Sequence, residues 1–329
     1  MTKTEEAILT VLKHHQREII GSTQIMRALA PYGINLTERS IRYHLKLMDQ
    51  KMLTEVFGKS GRRITDRGLS ELEMSNVSNK IGFISSKIET LSYMSNFDYE
   101  KQQGKVIMNI SLFAKSESRE ATRVLSKAFA SRYVMSKRVI MADEGRLIGN
   151  TMVPEGMVGI GTICSVTVNA VLLNCGIPIS SRYGGVMEIT PDGPARFTSL
   201  ISYDGCSLDP LIVFINAGMT SVSDVLDCGS GHVLASFREV PVVCIDQTRH
   251  IQERLNSVDI GGLLLIGSPN TSLLEVPVGL DKAGVVVVGG LNPVAALYEN
   301  QIQAESFAMS ELVEYGDLIP YADASGMFS

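Results

Sequence analysis

The chain has 329 residues, of which 45% are hydrophobic and 20% are charged, with 29 glycines and 11 prolines in no repeating pattern. This composition excludes a disordered or collagen-like chain and supplies enough apolar residues for two or three folded units. The formal net charge of -5 is unevenly distributed, because residues 1–70 hold 5 Lys and 7 Arg against 7 acidic residues, whereas the remainder is acidic.

Three short helices are predicted in the first 52 residues. Ile8, Val11 and Leu12 recur at helical spacing and predict the first helix, while Ser22 and Thr37 are placed as the N-caps of the second and the third. An apolar stripe of the third helix is predicted to face inward and consists of Ile41, Leu45, Met48 and Met52. The opposite side is then exposed, and the residues of this region predicted to contact a ligand are Ser22, Thr37, Arg39, Ser40, Arg42, Tyr43 and Lys46.

A strand, a glycine turn and a second strand are predicted after the third helix, at residues 53–57, 58–63 and 64–65. The turn carries three cations within six residues, Lys59, Arg62 and Arg63. Three helices followed by a hairpin are typical of a winged helix-turn-helix domain, which we place at residues 1–70.

Double-stranded DNA is the ligand that this domain favours. Arg and Lys on the third helix can bond guanine in the major groove, and the wing cations can hold phosphates or reach the minor groove. The net positive charge of residues 1–70 also favours a DNA ligand. A solvated charged face would give the same net charge. A protein-binding or dimerising winged helix is the alternative, but such modules seldom combine a basic helix face with a basic wing.

Residues 71–100 are predicted to form a connector, and residues 101–325 a larger, β-rich regulatory domain. Strands and helices are predicted to alternate there, so the fold class of the chain is mixed α/β, of the α+β type. From His232 onward the order of elements partly recurs, which predicts two related halves of about 110 residues. Two such halves would leave a cleft lined by glycine turns, and this cleft is the expected ligand site.

Signals of catalysis and of metal binding are weak. The chain contains no G-x-x-x-x-G-K-[ST] loop and no G-x-S-x-G elbow, and its five histidines are scattered along the sequence. The five cysteines include no C-x-x-C pair, which favours buried free thiols over disulfides or a zinc site. We therefore expect a protein that is not an enzyme and that needs no cofactor and no metal.

Two neighbouring polar stretches, residues 161–169 and 179–185, predict an anion pocket. Arg182 follows Ser181 and precedes Gly184 and Gly185, so it can bind a carboxylate in a fork while backbone N–H groups approach without hindrance. The start of the helix predicted from Ser165 adds a favourable dipole. A small dicarboxylate is the ligand that these residues favour. The alternative is that the glycine pair forms a tight bend and that Arg182 lies in solvent.

Several strings of the sequence resemble the archaeal nitrogen regulatory repressor family NrpR: residues 81–84 with 87–89, residues 161–169, residues 176–178 with 181–185, and residues 289–296. The resemblance implies a repressor of nitrogen-assimilation and nitrogen-fixation genes that binds an inverted-repeat operator as a dimer and leaves it when 2-oxoglutarate accumulates. Some members of the family carry two regulatory domains in tandem. This chain has room for one, so a homodimer or a higher oligomer is expected, and a second protein with an NrpR domain is a candidate partner.

The residue pattern and the resemblance together give the expected effector site. Arg182 and the glycine amides would take the two carboxylates of 2-oxoglutarate, and Thr162 or Ser165 would donate to its ketone. Cys164 either lines this pocket or is a buried structural thiol. The expected effector residues are Thr162, Cys164, Ser165, Asn169, Ser181, Arg182, Tyr183, Gly184, Gly185, Gly289, Gly290 and Asn292.

Two other functions stay open at this point. One is a regulator that responds to a different small effector, such as an amino acid or a nucleotide, and the other is an enzyme that acts on a small acid and carries an appended winged helix. In each case we expect a cytoplasmic protein with no membrane partner. The apolar runs are much shorter than the roughly 20 residues that cross a bilayer, and the start of the chain is acidic.

Overall fold

The computed structural model describes residues 2–15, 19–29, 34, 36–58, 60–73 and 82–326. The chain divides into two compact units, Met1–Ile81 and Gly82–Ser329. Within the described residues, no helix combines the length and the apolar character needed to span a bilayer.

The first unit has the element order of a winged helix, as predicted. Its elements are α1 (Lys3–His14), α2 (Ser22–Leu29), α3 (Glu38–Gln50), β1 (Thr54–Phe57), β2 (Gly61–Ile64) and α4 (Asp66–Glu73). The strands β1 and β2 pair antiparallel, and Ile20 extends this small sheet through a bridge to Arg62. Its core includes Ile8, Leu12 and Ile25, which pack against the buried face of α3.

Local details of the first unit differ from the prediction at two residues. Ser22 is the first residue of α2 and not its N-cap, because its hydroxyl contacts Glu38. Met52 does not belong to the apolar stripe of α3, because the helix ends at Gln50 and Met52 is 60% exposed with a φ of 58°. Thr37 caps α3 as predicted, since its hydroxyl oxygen accepts from the N–H of Ser40.

The second unit contains two five-stranded antiparallel sheets. Its elements up to the middle are α5 (Phe83–Met94), β3 (Lys105–Ala114), α6 (Ser118–Ala130), β4 (Arg138–Asp143), β5 (Leu147–Ile148), β6 (Thr151–Met152), β7 (Met157–Ile163), α7 (Val166–Asn174) and β8 (Ser180–Thr190). A middle segment holds β9 (Gly193–Ser202), α8 (Pro210–Asn216) and α9 (Val222–Cys228). The last part holds β10 (Gly231–Pro241), α10 (Ile245–Asn256), β11 (Leu263–Ile266), β12 (Lys282–Val288), α11 (Asn292–Glu299), β13 (Ala304–Glu314), β14 (Ile319–Pro320) and α12 (Tyr321–Ser325).

The predicted two halves are present in the order of these elements. The series β3, α6, β4, β7, α7, β8 recurs as β10, α10, β11, β12, α11, β13, over residues 105–190 and 231–314. Each copy is shorter than the predicted length of about 110 residues, because the segment between them has no counterpart. The sheets have the orders β13-β3-β7-β4-β14 and β11-β12-β10-β8-β9. The last strand of each half thus joins the sheet of the other half, so the halves are intertwined.

The central strands of both sheets are buried along most of their length. After its first residue, the strand β3 is apolar apart from Asn109 and Ser111. The strand β12 consists almost entirely of Val, Ala and Gly. Such runs are typical of strands covered on both faces. The two sheets and their helices therefore share buried cores that hold residues from both halves.

Within the predicted connector, residues 71–100, the part from Gly82 onward belongs to the second unit, and residues 74–81 lie outside the described residues. The helix α5 belongs to the second unit, because Ile84 and Ile88 are buried in a cluster with Cys164, Tyr203 and Met309. The apolar residues of α5 therefore pack inside the second unit.

Candidate DNA-binding face and effector site

The exposed face of α3 carries four of the residues predicted to contact DNA. Arg39, Arg42, Tyr43 and Lys46 are all exposed, and their spacing places them on one side of the helix. Neither Arg39 nor Lys46 has an ion-pair partner in the described part of the chain. The ring of Tyr43 packs edge-to-face against the ring of His44. This face therefore offers a polyanion a phenol ring and two cations that pair with none of the described residues.

Arg42 is held by a local polar cluster and is less free than its neighbours. Its guanidinium forms an ion pair with Glu38 one turn earlier, and its Nε donates to the hydroxyl of Ser22 at 3.3 Å. The same hydroxyl donates to Glu38 Oε1 at 3.0 Å. These hydrogen bonds, first that of Ser22 and then that of Arg42, lower the pKa of Glu38. The cluster ties the start of α2 to the start of α3 and fixes the direction of Arg42.

The structure corrects the predicted position of two wing cations. Arg62 and Arg63 lie on β2 and not in the turn, and Lys59 lies outside the described residues. Arg62 forms a bidentate pair with Asp49, in which Nε donates to Oδ1 at 3.1 Å and Nη2 donates to Oδ2 at 2.8 Å. It therefore joins β2 to the end of α3. Arg63 lies over the ring of Phe57 and contacts the exposed carboxylate of Glu55 at 3.2 Å.

Arg62→Met is expected to destabilise the winged-helix unit by about 1 to 2 kcal/mol, because Asp49 loses a largely buried bidentate partner and keeps only the hydroxyl of Thr54. Arg63→Met removes an exposed pair and should cost about 0.5 kcal/mol or less. Hydrogen exchange of the β1 and β2 amides measures both effects. Equal protection in the two variants would contradict the structural role of Arg62.

Several residues predicted for the effector instead join the two halves. Thr162, near the end of β7, donates to the backbone oxygen of Gly290 at 2.9 Å. A β-carbon on Gly290 would lie 2.3 Å from the backbone oxygen of Ile163, so glycine is required for this close approach. Asn292 is buried, accepts from the N–H of Leu234 and donates to two backbone oxygens. The polar groups of Thr162 and Asn292 are therefore already bonded within the protein.

The predicted glycine pair and its neighbours lie in regular structure. Gly184 and Gly185 pair within β8, between β9 and β10, and form no tight bend. A β-carbon added at Gly184 would lie 2.8 Å from Pro210, and one added at Gly185 would lie 2.6 Å from the backbone oxygen of Ser199. A β-carbon added at Gly289 would lie 2.6 Å from Leu234. Tyr183 packs beside Phe237 with ring centres 6.4 Å apart. We correct these four positions to packing positions, because close neighbours occupy the space that a ligand would need.

Three of the predicted residues do line one cavity, which we call the outer cavity. Its volume is about 390 Å³, and it lies between α5, α7 and the start of β8, with Asn169, Ser181 and Arg182 on its wall. Asn169 Nδ2 donates to the hydroxyl oxygen of Ser181 at 2.9 Å, and its buried Oδ1 has no partner among the described residues. Arg182 is half-exposed, with its Nε 3.6 Å from the buried carboxylate of Glu239. A larger cavity of about 450 Å³, where the loops after α6 and α10 meet, holds none of the predicted residues.

Cys164, Ser165 and Gly290 line a second, smaller space, which we call the inner cavity. Its free volume is about 10 Å³, and Ile88 and Tyr203 belong to the walls of both cavities. Burial raises the pKa of the Cys164 thiol to about 11, so this cysteine stays protonated at neutral pH. The structure thus places Cys164 beside a cavity and also within a buried cluster.

Two cations near these cavities were missed by the sequence analysis. Arg238 is 1% exposed and donates from Nη1 to the backbone oxygen of Ser165 at 2.9 Å. Lys87 on α5 donates to the backbone oxygen of Ala308 at 3.1 Å. Arg238 and Glu239 interrupt a predicted strand, residues 232–240, that is otherwise mostly apolar, and a charge inside such a strand was the signal that could have identified Arg238. In the described ranges, no three His, Cys, Asp or Glu side chains form a group that could hold a metal ion.

Both units of the chain resemble known protein families. The family described as NrpR regulatory domains NRD1 and 2 matches residues 81–319, and the Ribonuclease R winged-helix domain matches residues 6–72. The chain is 34% identical to the global nitrogen regulator NrpRI of Methanosarcina mazei, over 94% of this chain and 96% of that protein. It is 31% identical to the global nitrogen regulator NrpR of Methanococcus maripaludis over 94% of this chain, which spans 54% of that relative. A crystal structure of a nitrogen repressor-like protein from Methanococcus jannaschii matches with a TM-score of 0.61 and 34% identity, over 72% of this chain and 97% of that one.

Proposed function

This chain belongs to the NrpR family, and we propose that it is a DNA-binding repressor of nitrogen-assimilation and nitrogen-fixation genes that 2-oxoglutarate releases from an inverted-repeat operator. The relatives named above are global nitrogen regulators, so the coarser function is that of a nitrogen-responsive transcriptional regulator. Regulation, and not catalysis, is thus the activity that the comparisons favour.

The observation that carries the DNA-binding proposal is the pair of free cations on α3. Arg39 and Lys46 flank Tyr43 on an exposed helix face and are available to phosphates or guanine edges. Two copies of this face would read an inverted repeat, with half-sites about 10 base pairs apart or a multiple of that distance. We therefore propose a homodimer or a higher oligomer. A second protein with an NrpR domain is a further candidate partner, since this chain spans about half of the Methanococcus maripaludis relative.

The outer cavity is the proposed entry site for the effector. Arg182 can take one carboxylate of 2-oxoglutarate in a fork, and Ser181, which accepts from Asn169, keeps its own proton for a ligand oxygen. Thr162 is less suited to the ketone than predicted, because its proton is used by Gly290. Glu89 and Asp204 also line this cavity, but both are exposed, so solvent screens their repulsion of an anion.

Isothermal titration with 2-oxoglutarate tests this site. Arg182→Ala is expected to weaken binding about tenfold or more, because a charge-assisted bidentate contact is lost. Arg196→Ala is the matched control, since Arg196 on the neighbouring strand β9 is equally exposed and also pairs with a carboxylate. Equal affinity in the two variants would contradict the assignment of Arg182.

A different small effector is the second candidate, and one observation favours it. The unpartnered Oδ1 of Asn169 and the carboxylates of Glu89 and Asp204 are acceptors, which suit the ammonium group of an amino acid. Titration with a panel of amino acids, nucleotides and 2-oxo acids separates the two candidates. Conversion of 2-oxoglutarate during incubation, followed by NMR, would instead support an enzyme acting on a small acid.

A further inference from the structure

Arg238 is a buried charge that the fold does not neutralise. Its side chain is among the largest fully buried ones, its Nε has no hydrogen-bond partner, and no carboxylate of the described residues pairs with it. Burial lowers the pKa of Arg238 to about 10. Buried charges are costly and are normally paired with an opposite charge, so an unpaired guanidinium at this depth indicates a site that receives an anion.

Two cations are bonded to residues that line the inner cavity. Arg238 bonds to the backbone of Ser165, and Lys87 bonds to the backbone of Ala308, and both of those residues line this cavity. Among the described residues on its wall, the one carboxylate is that of Asp209, which accepts from the N–H groups of Leu211 and Ile212 at the start of α8. Burial raises the pKa of Asp209 and lowers that of Lys87, so it disfavours the charged form of both groups. The formal charge of the two cations and this one carboxylate together is positive.

The inner cavity is closed by residues that also face the outer cavity. Its free volume of about 10 Å³ accommodates no more than about one water molecule. Ile88 and Tyr203 separate it from the outer cavity of about 390 Å³. Ile88 belongs to α5, which is held there by two more contacts, from the Ser85 hydroxyl to Tyr203 O at 2.9 Å and from Ile84 N to Cys206 O at 3.3 Å. An anion that passes from the outer cavity toward Arg238 must displace Ile88 or Tyr203, and Ile88 moves with α5.

We propose that the second carboxylate of the effector enters the inner cavity between Lys87 and Arg238, and that its entry displaces α5. The inference rests on the proposed function, since it takes a dicarboxylate held by Arg182 as its starting point. The helix α5 is the first described element of the second unit and follows the winged-helix unit in the chain. The energy for this shift comes from pairing a buried charge that is otherwise unpaired.

Ligand discrimination tests the role of Arg238. The probes are 2-oxoglutarate and 2-oxopentanoate, which has a methyl group in place of the terminal carboxylate. The unmodified full chain should bind 2-oxoglutarate at least about tenfold more tightly, because only this ligand pairs with Arg238. Arg238→Met should abolish that preference, whereas a merely structural role would weaken both ligands alike. Arg138→Met is the matched control, because Arg138 also bonds to a backbone oxygen and also has an unpartnered Nε.

The outcomes separate the inference from the proposed function. If the unmodified chain binds neither ligand, the proposed function fails. If it prefers 2-oxoglutarate and Arg238→Met keeps that preference, the inference is overturned. Should Arg238→Met fail to fold, ligand preference in Lys87→Met and hydrogen exchange of the α5 amides test the inference instead. We expect a reduced preference in Lys87→Met and faster α5 exchange with 2-oxoglutarate only, and the absence of both changes would overturn the inference.

Discussion

Replacing Arg39 and Lys46 together by alanine is expected to weaken operator binding by about 30-fold or more. Each contact from a cation to a base or a phosphate contributes about 1 to 3 kcal/mol, and neither side chain has a competing partner in the described parts of the first unit. Both residues are exposed, so the free energy of unfolding should change by about 0.5 kcal/mol or less. The loss would therefore report on DNA contact and not on folding.

Fluorescence anisotropy with a duplex selected by the unmodified protein measures this loss. If both residues contact phosphates, the slope of log K against log salt should fall by about 2. The control is Lys127→Ala with Arg249→Ala, which removes the same charge from exposed positions of the second unit. An equal loss in the control would show that net charge, and not the α3 face, determines affinity.

Gly290→Ala is expected to lower the stability of the second unit by about 3 kcal/mol. The new β-carbon would lie 2.3 Å from the backbone oxygen of Ile163 and 2.8 Å from the side-chain Nδ2 of Asn109. A backbone atom cannot move aside as a flexible side chain would, so the junction between β7 and the start of α11 must separate. The hydrogen bond from Thr162 to Gly290 would then be lost as well.

Urea denaturation of the full chain, followed by hydrogen exchange in each unit, measures this effect. Gly316→Ala is the matched control, because a β-carbon at Gly316 meets no atom within 4 Å. The winged-helix unit should keep its protection in both variants, since the clash lies within the second unit. A Gly290→Ala protein as stable as Gly316→Ala would contradict the close packing described for this junction.

The first unit shows what periodicity can predict and what it cannot. The exposed face of α3 follows from the apolar spacing of Ile41, Leu45 and Met48, which is a local property of the sequence. The role of Arg62 does not follow from spacing, because its partner Asp49 lies 13 residues away and meets it only through tertiary packing. Sequence reasoning therefore assigned to DNA a cation that the fold uses internally.

The second unit adds two further lessons. The repeated order of elements was visible in the sequence, but the exchange of β8 and β13 between the halves was not, because strand pairing depends on long-range contacts. In the sequence, a glycine pair is equally compatible with a turn and with a site of close packing. At Gly184 and Gly185, the structure shows close packing. Asn169, Ser181 and Arg182 do meet at one cavity, since the short link from α7 to β8 brings them together.

The most direct test of the account is a titration of 2-oxoglutarate into the complex of the full chain with its operator duplex, at one fixed salt concentration. We predict that DNA affinity falls by about 5- to 150-fold as 2-oxoglutarate saturates the protein, and that the anisotropy falls toward the value of free DNA. A complex that holds the duplex with unchanged affinity at saturating 2-oxoglutarate would contradict this prediction.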